Sequence, residues 1–520
     1  MMHIFRKSKL VLYIFIIIVI LASCSSLPKY QYTNDSIPDQ PYPIDSTIED
    51  ISPNTNQEPQ DIPTLIWYQL GFPQEDLALV LEQVNAYTRQ MIGVEIDIRQ
   101  EPDFDRAMQT LYSTGGQWDI TFTSSWTNNY LQNVKRGIFL PLSSFLETQG
   151  QSLYQSIDSR FWDAARVDGE IYAIPTQKEI SYMPMWVFCK ELVERYHIPY
   201  EDIHSLEDLE PYLRLMKEHE PDIIPLFLHN GFSIPFYMDF IQFPLGVHIE
   251  DDTLTIQNVF EMEKTKTTLR TMRRFHDAGY INSDAMSASE HDERRRFVTK
   301  ASGQPFAENI WSKELGYQVV ASPIISPIIT NDSARGAMTA INANTQYPEQ
   351  AFAFIQLVQS SSYLRNLLNY GIEGVHYDLV PASYEELLEV QGRPYVFPSR
   401  VRLHPERMHR YQVPYFVQGG LFHTYVLEGD PLDKWAIFEE YNQNSVAVPS
   451  FGFNFDLRDF QSQIRAINGV LDPFVRPLYS GFVVPEAHIE GLLQKLESVG
   501  IREVMEEMQR QIDVWAVLDQ

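Results

Sequence analysis

The chain has 520 residues, of which 44% are hydrophobic, so it can bury the cores of two or three domains. Its 69 acidic and 40 basic residues leave a net charge of −29 at neutral pH, and a surface this acidic repels the phosphates of nucleic acids. Binding of nucleic acid is therefore not expected. With only two cysteines, Cys24 and Cys189, a disulfide framework is excluded as well.

The N-terminus has the order of segments that is typical of a secretory signal peptide. Basic residues lie within residues 1–9, an apolar run covers residues 10–21, and two small residues precede Cys24. The apolar run is too short to span a bilayer, which takes roughly 20 residues. The tetrad Leu-Ala-Ser-Cys resembles the lipobox of bacterial lipoproteins, although an ordinary signal peptide that contains a cysteine is the alternative. The resemblance implies that residues 1–23 are removed and that Cys24 carries acyl chains such as palmitate, which anchor the protein on the extracellular face of the cell membrane.

Residues 24–62 form the next segment, which is rich in Pro, Asn, Gln, Asp and Ser and has no aliphatic pattern. Such a composition cannot bury enough apolar area to offset the entropy lost when a chain becomes ordered. We therefore predict a disordered tether that holds the folded part away from the membrane.

Strand and helix patterns alternate after the tether. Apolar runs and period-two alternation predict strands at residues 64–68, 94–98 and 118–123, and helical periodicity follows residue 75 and covers residues 104–112. This alternation predicts a parallel sheet with helices on its faces. Ligands of such sheets bind beyond the carboxyl ends of the strands, here the loops at residues 68–71 and 124–129.

Five short sequence motifs further along the chain occur in the same order as in a known protein family. They lie at residues 169–175, 185–192, 297–311, 336–341 and 348–355. Together they resemble the family 1 extracellular solute-binding proteins, the receptors of ABC importers for sugars and oligosaccharides, over a region from about residue 63 to about residue 358. The resemblance implies a periplasmic-binding-protein-like α/β fold, in which two lobes are joined by hinge strands and a ligand cleft lies between them.

The last third of the chain resembles a subgroup of that family. Residues 370–377 look like a phrase of LipO-type lipoproteins, which carry a C-terminal extension of uncharacterised role. Near the end, apolar residues recur at helical spacings of four and three, which predicts a single apolar stripe on the last helix: Ile501, Met505, Met508, Ile512 and Trp515. We expect this stripe to dock on the protein's own core, with a partner-binding helix as the alternative.

The resemblance also implies a division of the chain into lobes. We expect lobe 1 at residues 63–175 with 322–345 returning to it, lobe 2 at 176–321 with about 346–450 returning to it, and a C-terminal extension at 451–520 that is helical at its end.

A receptor of this family works by closing its lobes around a solute, and its permease recognises the closed form. The resemblance therefore implies a small-molecule ligand, most simply a carbohydrate, and ABC permease subunits as partners of a monomeric, membrane-anchored protein. No catalytic residue, metal site or cofactor is expected. The lone Cys189 lies among apolar residues, which favours a core position over a nucleophile.

Aromatic and polar residues on the predicted loops are the candidates for sugar binding. The expected stacking platforms are Tyr68, Trp126, Trp186 and Trp311, and the expected hydrogen-bonding residues are Gln69, Asn128, Glu179 and Glu373. Trp311 enters this set because it matches a ligand-facing tryptophan of the family. Plain core remains the alternative for Trp186, because its neighbours are apolar, and also for Trp126, whose neighbours are polar. A turn carboxylate remains the alternative for Glu373.

Two other classes of function stay open at this point. A sensory or peptide-binding receptor can use the same fold without transport. A cell-surface carbohydrate-active enzyme needs a carboxylate pair, and the sequence singles out none; it also lacks the short motifs of serine hydrolases, zinc proteases and phosphate-binding loops.

Overall fold

The computed structural model describes residues 62–518. The predicted signal peptide, the acylation site Cys24 and all but the last residue of the predicted tether lie outside the described residues. Within residues 62–518, no helix is both long enough and apolar enough to cross a membrane.

The first part of the described chain alternates strands and helices. Its elements are β1 (Thr64–Leu70), α1 (Leu77–Ile92), β2 (Glu95–Glu101), α2 (Phe104–Thr114), β3 (Ile120–Thr123), α3 (Tyr130–Lys135), α4 (Ser143–Thr148), α5 (Gln151–Ser156), α6 (Ser159–Ala165), β4 (Arg166–Val167), β5 (Glu170–Ile171) and β6 (Ala173–Pro175).

The middle part continues the alternation with longer connections. Its elements are β7 (Pro184–Cys189), α7 (Lys190–Tyr196), α8 (Glu210–His219), β8 (Ile224–Leu226), β9 (Met238–Gln242), β10 (Leu245–His248), β11 (Gln257–Asn258), α9 (Glu263–Asp277), β12 (Arg296–Ser302), α10 (Ala307–Leu315), β13 (Val319–Pro323), β14 (Ile328–Ile329), α11 (Asn331–Ala334) and β15 (Met338–Ile341).

The last part is mainly helical. Its elements are α12 (Pro348–Ser360), α13 (Ser362–Tyr370), β16 (Tyr377–Pro381), α14 (Tyr384–Glu389), β17 (Ser399–Leu403), α15 (Lys434–Asn444), β18 (Val446–Ala447), α16 (Gln461–Tyr479), α17 (Pro485–Ser498) and α18 (Ile501–Leu518).

The first lobe is built on a five-stranded sheet in the order β2-β1-β3-β15-β6. Strands β1, β2 and β3 are parallel, as the sequence predicts, and β15 runs antiparallel to its neighbours β3 and β6. Alternating apolar residues of β1 and β2 point into the core, where Leu65, Trp67 and Ile96 are buried. The parallel strands end at one edge of this sheet, which is the edge where loops can form a ligand site.

The second lobe is built on a four-stranded sheet in the order β13-β7-β12-β8. Strand β7 reads Pro-Met-Trp-Val-Phe-Cys and is buried along its whole length, because helices and further strands cover both faces. Cys189, at the end of β7, is buried and unbridged, in agreement with a core position.

The C-terminal extension forms an integral part of the second lobe. Apolar residues of α16, α17 and α18 belong to the same buried cluster as Trp186 and Phe188 of the second sheet. In α18, Ile501, Met508 and Ile512 are at most 3% exposed, which confirms that the predicted stripe docks on the protein's own core.

The expected return of residues 346–450 to the second lobe is wrong for much of that segment. Helices α12 and α13 and residues 411–417 contribute to the buried core of the first lobe. Phe354 of α12 packs edge-on against Trp67 of β1, with ring centroids 5.4 Å apart. The apolar periodicity of α12 shows that one face is buried but not against which sheet. Only the tertiary contacts assign this helix to the first lobe.

A third, smaller core follows within the same segment. It contains Leu421, Phe422, Val426, Leu432, Trp435 and Phe438, and Phe306 from the second lobe packs against it. At its end, Asn442 of α15 accepts a hydrogen bond from the backbone N–H of Ile180 and donates one to the carbonyl of Lys178. This core is therefore joined to the chain where it passes between the lobes.

Three segments cross between the two lobes. Residues 176–183 connect β6 to β7, residues 324–337 connect β13 to β15, and residues 445–452 lead from α15 into the C-terminal extension. Two of these crossings pair with each other, because β14 and β18 form a short parallel ladder. A bridge between Tyr182 and Ile328 joins the first crossing to the second. Bending of these segments is the motion available for closing the cleft.

Candidate ligand-binding cleft

Trp126 is the most exposed tryptophan at the cleft edge of the first sheet. It follows β3 in the loop at residues 124–129 and is 55% exposed. Its indole Nε1 donates a hydrogen bond of 2.8 Å to the carbonyl of Gly336, which precedes β15. The ring therefore has a fixed orientation while one face stays open to solvent, which suits a stacking platform.

Two further aromatic residues lie beside Trp126. The ring of Phe416 has its centroid 6.1 Å from that of Trp126 and 6.0 Å from that of Phe122. Tyr415 packs edge-on against Phe416 at 5.4 Å and is 41% exposed. The three side chains Trp126, Tyr415 and Phe416 form what we call the aromatic edge of the cleft.

Polar groups of the crossing segment and the second lobe face this aromatic edge. Burial raises the pKa of Tyr415 to about 12; the negative charge of Glu179 adds to this effect, and a hydrogen bond with Gln304 of the second lobe opposes it. These influences place Tyr415 between the first crossing and the loop after β12. The aromatic edge therefore belongs to a surface that both lobes share.

Glu179 lies in the first crossing with one carboxylate oxygen engaged and one free. Its Oε1 forms an ion pair with Nζ of Lys178 at 2.7 Å, and each of the two side chains is 12% exposed. The other oxygen, Oε2, is buried and has no protein partner. The hydroxyl groups of Ser181 and Tyr441 are buried as well and interact with each other. Buried polar atoms are rarely left without partners, so Oε2 of Glu179 is available to a hydroxyl group of a ligand or to water.

A second carboxylate, that of Asp332, lies behind Trp126. The hydroxyl of Ser125 donates a hydrogen bond of 3.0 Å to the Asp332 carbonyl, which ties the tryptophan loop to α11. Asp332 is exposed and, within residues 62–518, forms no ion pair. Asp332 is therefore a second carboxylate close to the tryptophan loop.

Tyr68 and Gln69 are at the expected end of β1, but the structure places both inside the first lobe. Tyr68 is 8% exposed, and its hydroxyl accepts a hydrogen bond of 3.2 Å from Arg99. Gln69 is 1% exposed and accepts a hydrogen bond of 3.2 Å from Gln418. The expectation that Tyr68 is an exposed stacking platform is wrong, because residues 411–418 cover this part of the sheet edge.

Asn128 and Trp186 have structural surroundings instead of a ligand-facing position. Asn128 adopts a left-handed conformation, with a φ of 44°. Its side-chain amide is fully used, since it donates to the Phe122 carbonyl and accepts from Tyr112 and Asn133. Trp186 has no exposed surface and lies in the core of the second lobe. Its apolar neighbours pointed to this outcome, and the stacking role expected for Trp186 is wrong in this conformation.

Trp311 and Glu373 are not brought together with the aromatic edge. Trp311 lies on α10 of the second lobe and is half-buried. Glu373 is exposed in the loop before β16, where it bridges to Tyr377. Of the eight expected ligand-binding residues, only Trp126 and Glu179 lie at the shared surface around Tyr415. In the described part of the chain, no group of three or more His, Cys, Asp or Glu side chains could hold a metal ion.

Sequence reasoning missed Tyr415, Phe416 and Asp332. A usable signal was present for the first two, because an aromatic pair preceded by Pro414 and followed by Gly419 and Gly420 is typical of an exposed turn. Nothing local indicates that this turn reaches the cleft, which lies next to residues almost 300 positions earlier in the chain.

Two α/β lobes, three crossing segments and a cleft with an aromatic edge define a solute-binding protein of the periplasmic-binding-protein type. Comparison with known proteins agrees with this class. A carbohydrate ABC transporter substrate-binding protein of Streptococcus pneumoniae is 25% identical over 464 residues, which are 87% of this chain and 91% of the relative. This similarity confirms the resemblance seen in the sequence.

Solved structures resemble the chain over nearly its full described length. The crystal structure of the N-glycan transport solute binding protein NgtS from Streptococcus pneumoniae matches with a TM-score of 0.79 and 25% identity, covering 88% of this chain and 100% of that one. The complex of NgtS with Man1GlcNAc matches with a TM-score of 0.71 and 25% identity, covering 87% and 99%. The chain is therefore more similar in shape to the NgtS structure whose description names no sugar.

The C-terminal extension is matched by a family model of its own. Residues 449–517 match a domain of unknown function, DUF3502. This range agrees with the extension expected from the LipO-type resemblance, and it contains the helices α16, α17 and α18 that complete the second core.

Proposed function

We propose that the protein is a receptor that captures an oligosaccharide between its two lobes and delivers it to an ABC permease. The observation that carries the proposal is the aromatic edge, where the exposed Trp126 packs beside Phe416 and Tyr415, and where the charge of Glu179 acts on Tyr415. Sugar rings have apolar faces that stack on aromatic rings and hydroxyl groups that donate to carboxylates. A cleft with a few placed polar groups among aromatic residues fits both needs.

The ligand we propose is a glycan of mannose and N-acetylglucosamine. The relative NgtS is described as an N-glycan transport protein and has been solved with Man1GlcNAc, and this chain shares its fold at 25% identity. The neutral hydroxyl groups of such a glycan suit a cleft whose two carboxylates, Glu179 and Asp332, would repel a ligand with acidic sugars.

Ligand capture is proposed to work by closure of the lobes. A ligand shifts the open–closed equilibrium only by the contacts that it makes in the closed form and lacks in the open form. Tyr415 of the first lobe already approaches Gln304 of the second, so a glycan stacked on the aromatic edge can be contacted by both lobes.

The cellular setting forms part of the proposal. We propose that Cys24 is acylated, that the mature protein is a monomer held on the extracellular face of the cell membrane, and that it catalyses no reaction. Support comes from the N-terminal sequence and from relatives that are named as binding proteins. More than one acyl chain would be needed for stable anchoring.

The proposed function can be tested by isothermal titration calorimetry of a protein comprising residues 25–520. The titrants are Man1GlcNAc, Man5GlcNAc, the unrelated fructan kestose and a short peptide. We expect saturable binding of the mannose-containing glycans and at least tenfold weaker binding, about 1.4 kcal/mol, after Trp126→Ala. Tyr384→Ala is the matched control, because Tyr384 is an exposed aromatic residue on α14 (72%) outside the aromatic edge.

Each other outcome points elsewhere. Binding of the peptide alone would replace transport of sugars by a sensory or peptide-binding role. Cleavage of a glycan during the titration, visible by mass spectrometry, would make the protein an enzyme. An equal loss of glycan affinity in Trp126→Ala and Tyr384→Ala would show that the aromatic edge is not the binding site.

A further inference from the structure

Arg365 is a fully buried arginine on α13, behind the aromatic edge. Its side chain has no exposed surface. The guanidinium donates three hydrogen bonds, all to backbone carbonyls of one turn: 2.9 Å to Gly420, 2.8 Å to Tyr415 and 3.3 Å to Gly419. Within residues 62–518 it forms no ion pair, and its Nη1 atom has no partner.

A buried guanidinium without a carboxylate is costly for folding. Burial lowers the pKa of Arg365 to about 10, so the group still carries its charge at neutral pH, and only carbonyl dipoles stabilise that charge. Apolar replacements of buried charged groups are often neutral or stabilising. The presence of an arginine here therefore needs a reason other than overall stability, and the geometry supplies one.

The five donors of a guanidinium lie in one plane at fixed angles, so Arg365 defines the path of the chain that it contacts. The carbonyls of Tyr415, Gly419 and Gly420 converge on this one group. Residues 415–420 are consequently folded into a compact turn, whose backbone faces Arg365 and whose aromatic side chains belong to the aromatic edge.

Further contacts hold the same turn from other sides. Gln359 of α12 accepts a hydrogen bond of 2.8 Å from the backbone N–H of Gly420. Leu421 donates its N–H to the carbonyl of Gln177 at 2.9 Å, which ties the turn to the first crossing. A Cβ atom at Gly420 would stand 2.8 Å from the Gln359 Oε1 atom, so a larger residue there would push the Gln359 side chain away from the turn.

We infer that Arg365 is a positioning residue for ligand binding: it clamps residues 415–420 so that Tyr415 and Phe416 stand ready beside Trp126. Arg365 cannot touch a ligand, because it is fully buried. The effect of Arg365 on ligand binding rests on the proposed function. Its effect on the conformation of residues 415–420 does not. Holding aromatic side chains in the bound geometry before the ligand arrives removes an ordering cost from binding.

The variants Arg365→Met and Arg365→Lys test the clamp. Methionine removes all three hydrogen bonds while filling similar space, and lysine keeps the charge but cannot reproduce the planar fork. We expect Arg365→Met to weaken glycan binding about tenfold, and Arg365→Lys to recover only part of that loss. The matched control is Arg296→Lys, because Arg296 is a buried arginine (3% exposed) in the second lobe that also bonds to backbone carbonyls.

A double-variant cycle separates positioning from general damage. If Arg365 acts through the aromatic pair, Arg365→Met should weaken binding about tenfold in the wild-type background and less than twofold in a Tyr415→Ala, Phe416→Ala background. An equal loss in both backgrounds would overturn the inference. So would an equal loss from the control Arg296→Lys.

Hydrogen–deuterium exchange of the ligand-free protein tests the clamp even if no glycan binds. We expect the amides of Gly420 and Leu421 to exchange at least tenfold faster in Arg365→Met, while amides of β7 in the second lobe keep their rates. Unchanged exchange at Gly420 would refute the clamp. Faster exchange there, together with no glycan binding by the wild type, would refute the proposed function and leave the clamp intact.

Discussion

Trp126, at the cleft edge of the first lobe, is 55% exposed, whereas Trp186, in the central strand of the second sheet, has no exposed surface. The indole nitrogen of Trp126 has an acceptor, the carbonyl of Gly336, but that of Trp186 has none. The exposed ring is held by a hydrogen bond and by its aromatic neighbours; the buried ring is held by packing alone. The same residue type is thus an exposed, hydrogen-bonded ring in one lobe and a packed core ring in the other. The exposed ring, held in a fixed orientation, is the one that we propose for recognition.

The largest effect on folding is expected from Trp186→Ala. Removing a large buried ring should lower the free energy of unfolding by about 3–5 kcal/mol. Trp126→Ala should cost about 1 kcal/mol, the usual value of one hydrogen bond. Urea unfolding followed by circular dichroism measures both. Similar losses for the two variants would break the comparison, because Trp126 would then be a core residue.

The C-terminal extension provides the next test, since it has one buried and one exposed apolar position on the same helix. Ile512 of α18 is fully buried and Val517 is 76% exposed. Ile512→Ala should lower the free energy of unfolding by about 2–5 kcal/mol, and Val517→Ala should change it by less than about 0.5 kcal/mol. Thermal unfolding with circular dichroism detects the difference. If Ile512→Ala were as mild as its control, the extension would be an appendage and not part of the second core.

A smaller effect is expected where the second lobe meets the crossings. Asp239 of β9 is 7% exposed, and the hydroxyl of Ser450, in the third crossing, donates a hydrogen bond of 2.5 Å to its carboxylate. Burial raises the pKa of Asp239 from 3.8 to about 6; the charge of Asp332 adds to that rise, and Ser450 and Arg335 oppose it.

Because the folded pKa of Asp239 lies above the unfolded value, the folded state holds the proton more tightly. Stability from this group is fully present below about pH 4 and is lost as the pH rises through about 6. Asp239→Asn, which stays neutral and still accepts from Ser450, should raise the free energy of unfolding at pH 7 by about 1–3 kcal/mol. Between pH 4 and 7, the free energy of unfolding should depend less on pH in the variant than in the wild type. The same pH dependence in both proteins would contradict the pKa that we assign to Asp239.

The sequence predicted the parts of the fold that depend on local pattern. The strands and helices of the first 60 residues of the folded part, the parallel order of β1, β2 and β3, and the docking of the stripe on α18 all follow from apolar periodicity. The ligand-binding roles of Glu179 and Trp126 stay predictions; the position of Trp126 just after a strand end follows from the same local pattern. Each of these features is encoded within about 20 neighbouring residues.

The misplaced residues share a different property: their surroundings are set by chain that is remote in sequence. Tyr68 and Gln69 end a strand that points to the cleft, yet residues 411–418 cover them. The apolar face of α12 fits either sheet by period, and its contact with Trp67 assigns it to the first. Local sequence contains no information on which distant segment will cover a strand end.

By itself, the sequence determined the class of this protein: an acidic chain behind a lipoprotein-like N-terminus, with alternating strands and helices and the ordered phrases of a solute-binding protein. Only the tertiary structure decided which aromatic residues meet at the cleft. The turn with Tyr415 and Phe416 reaches Trp126 because Arg365, about 50 residues earlier in the chain, binds its carbonyls. Such contacts depend on the directions of hydrogen-bond donors in three dimensions, which no periodicity of residue types encodes.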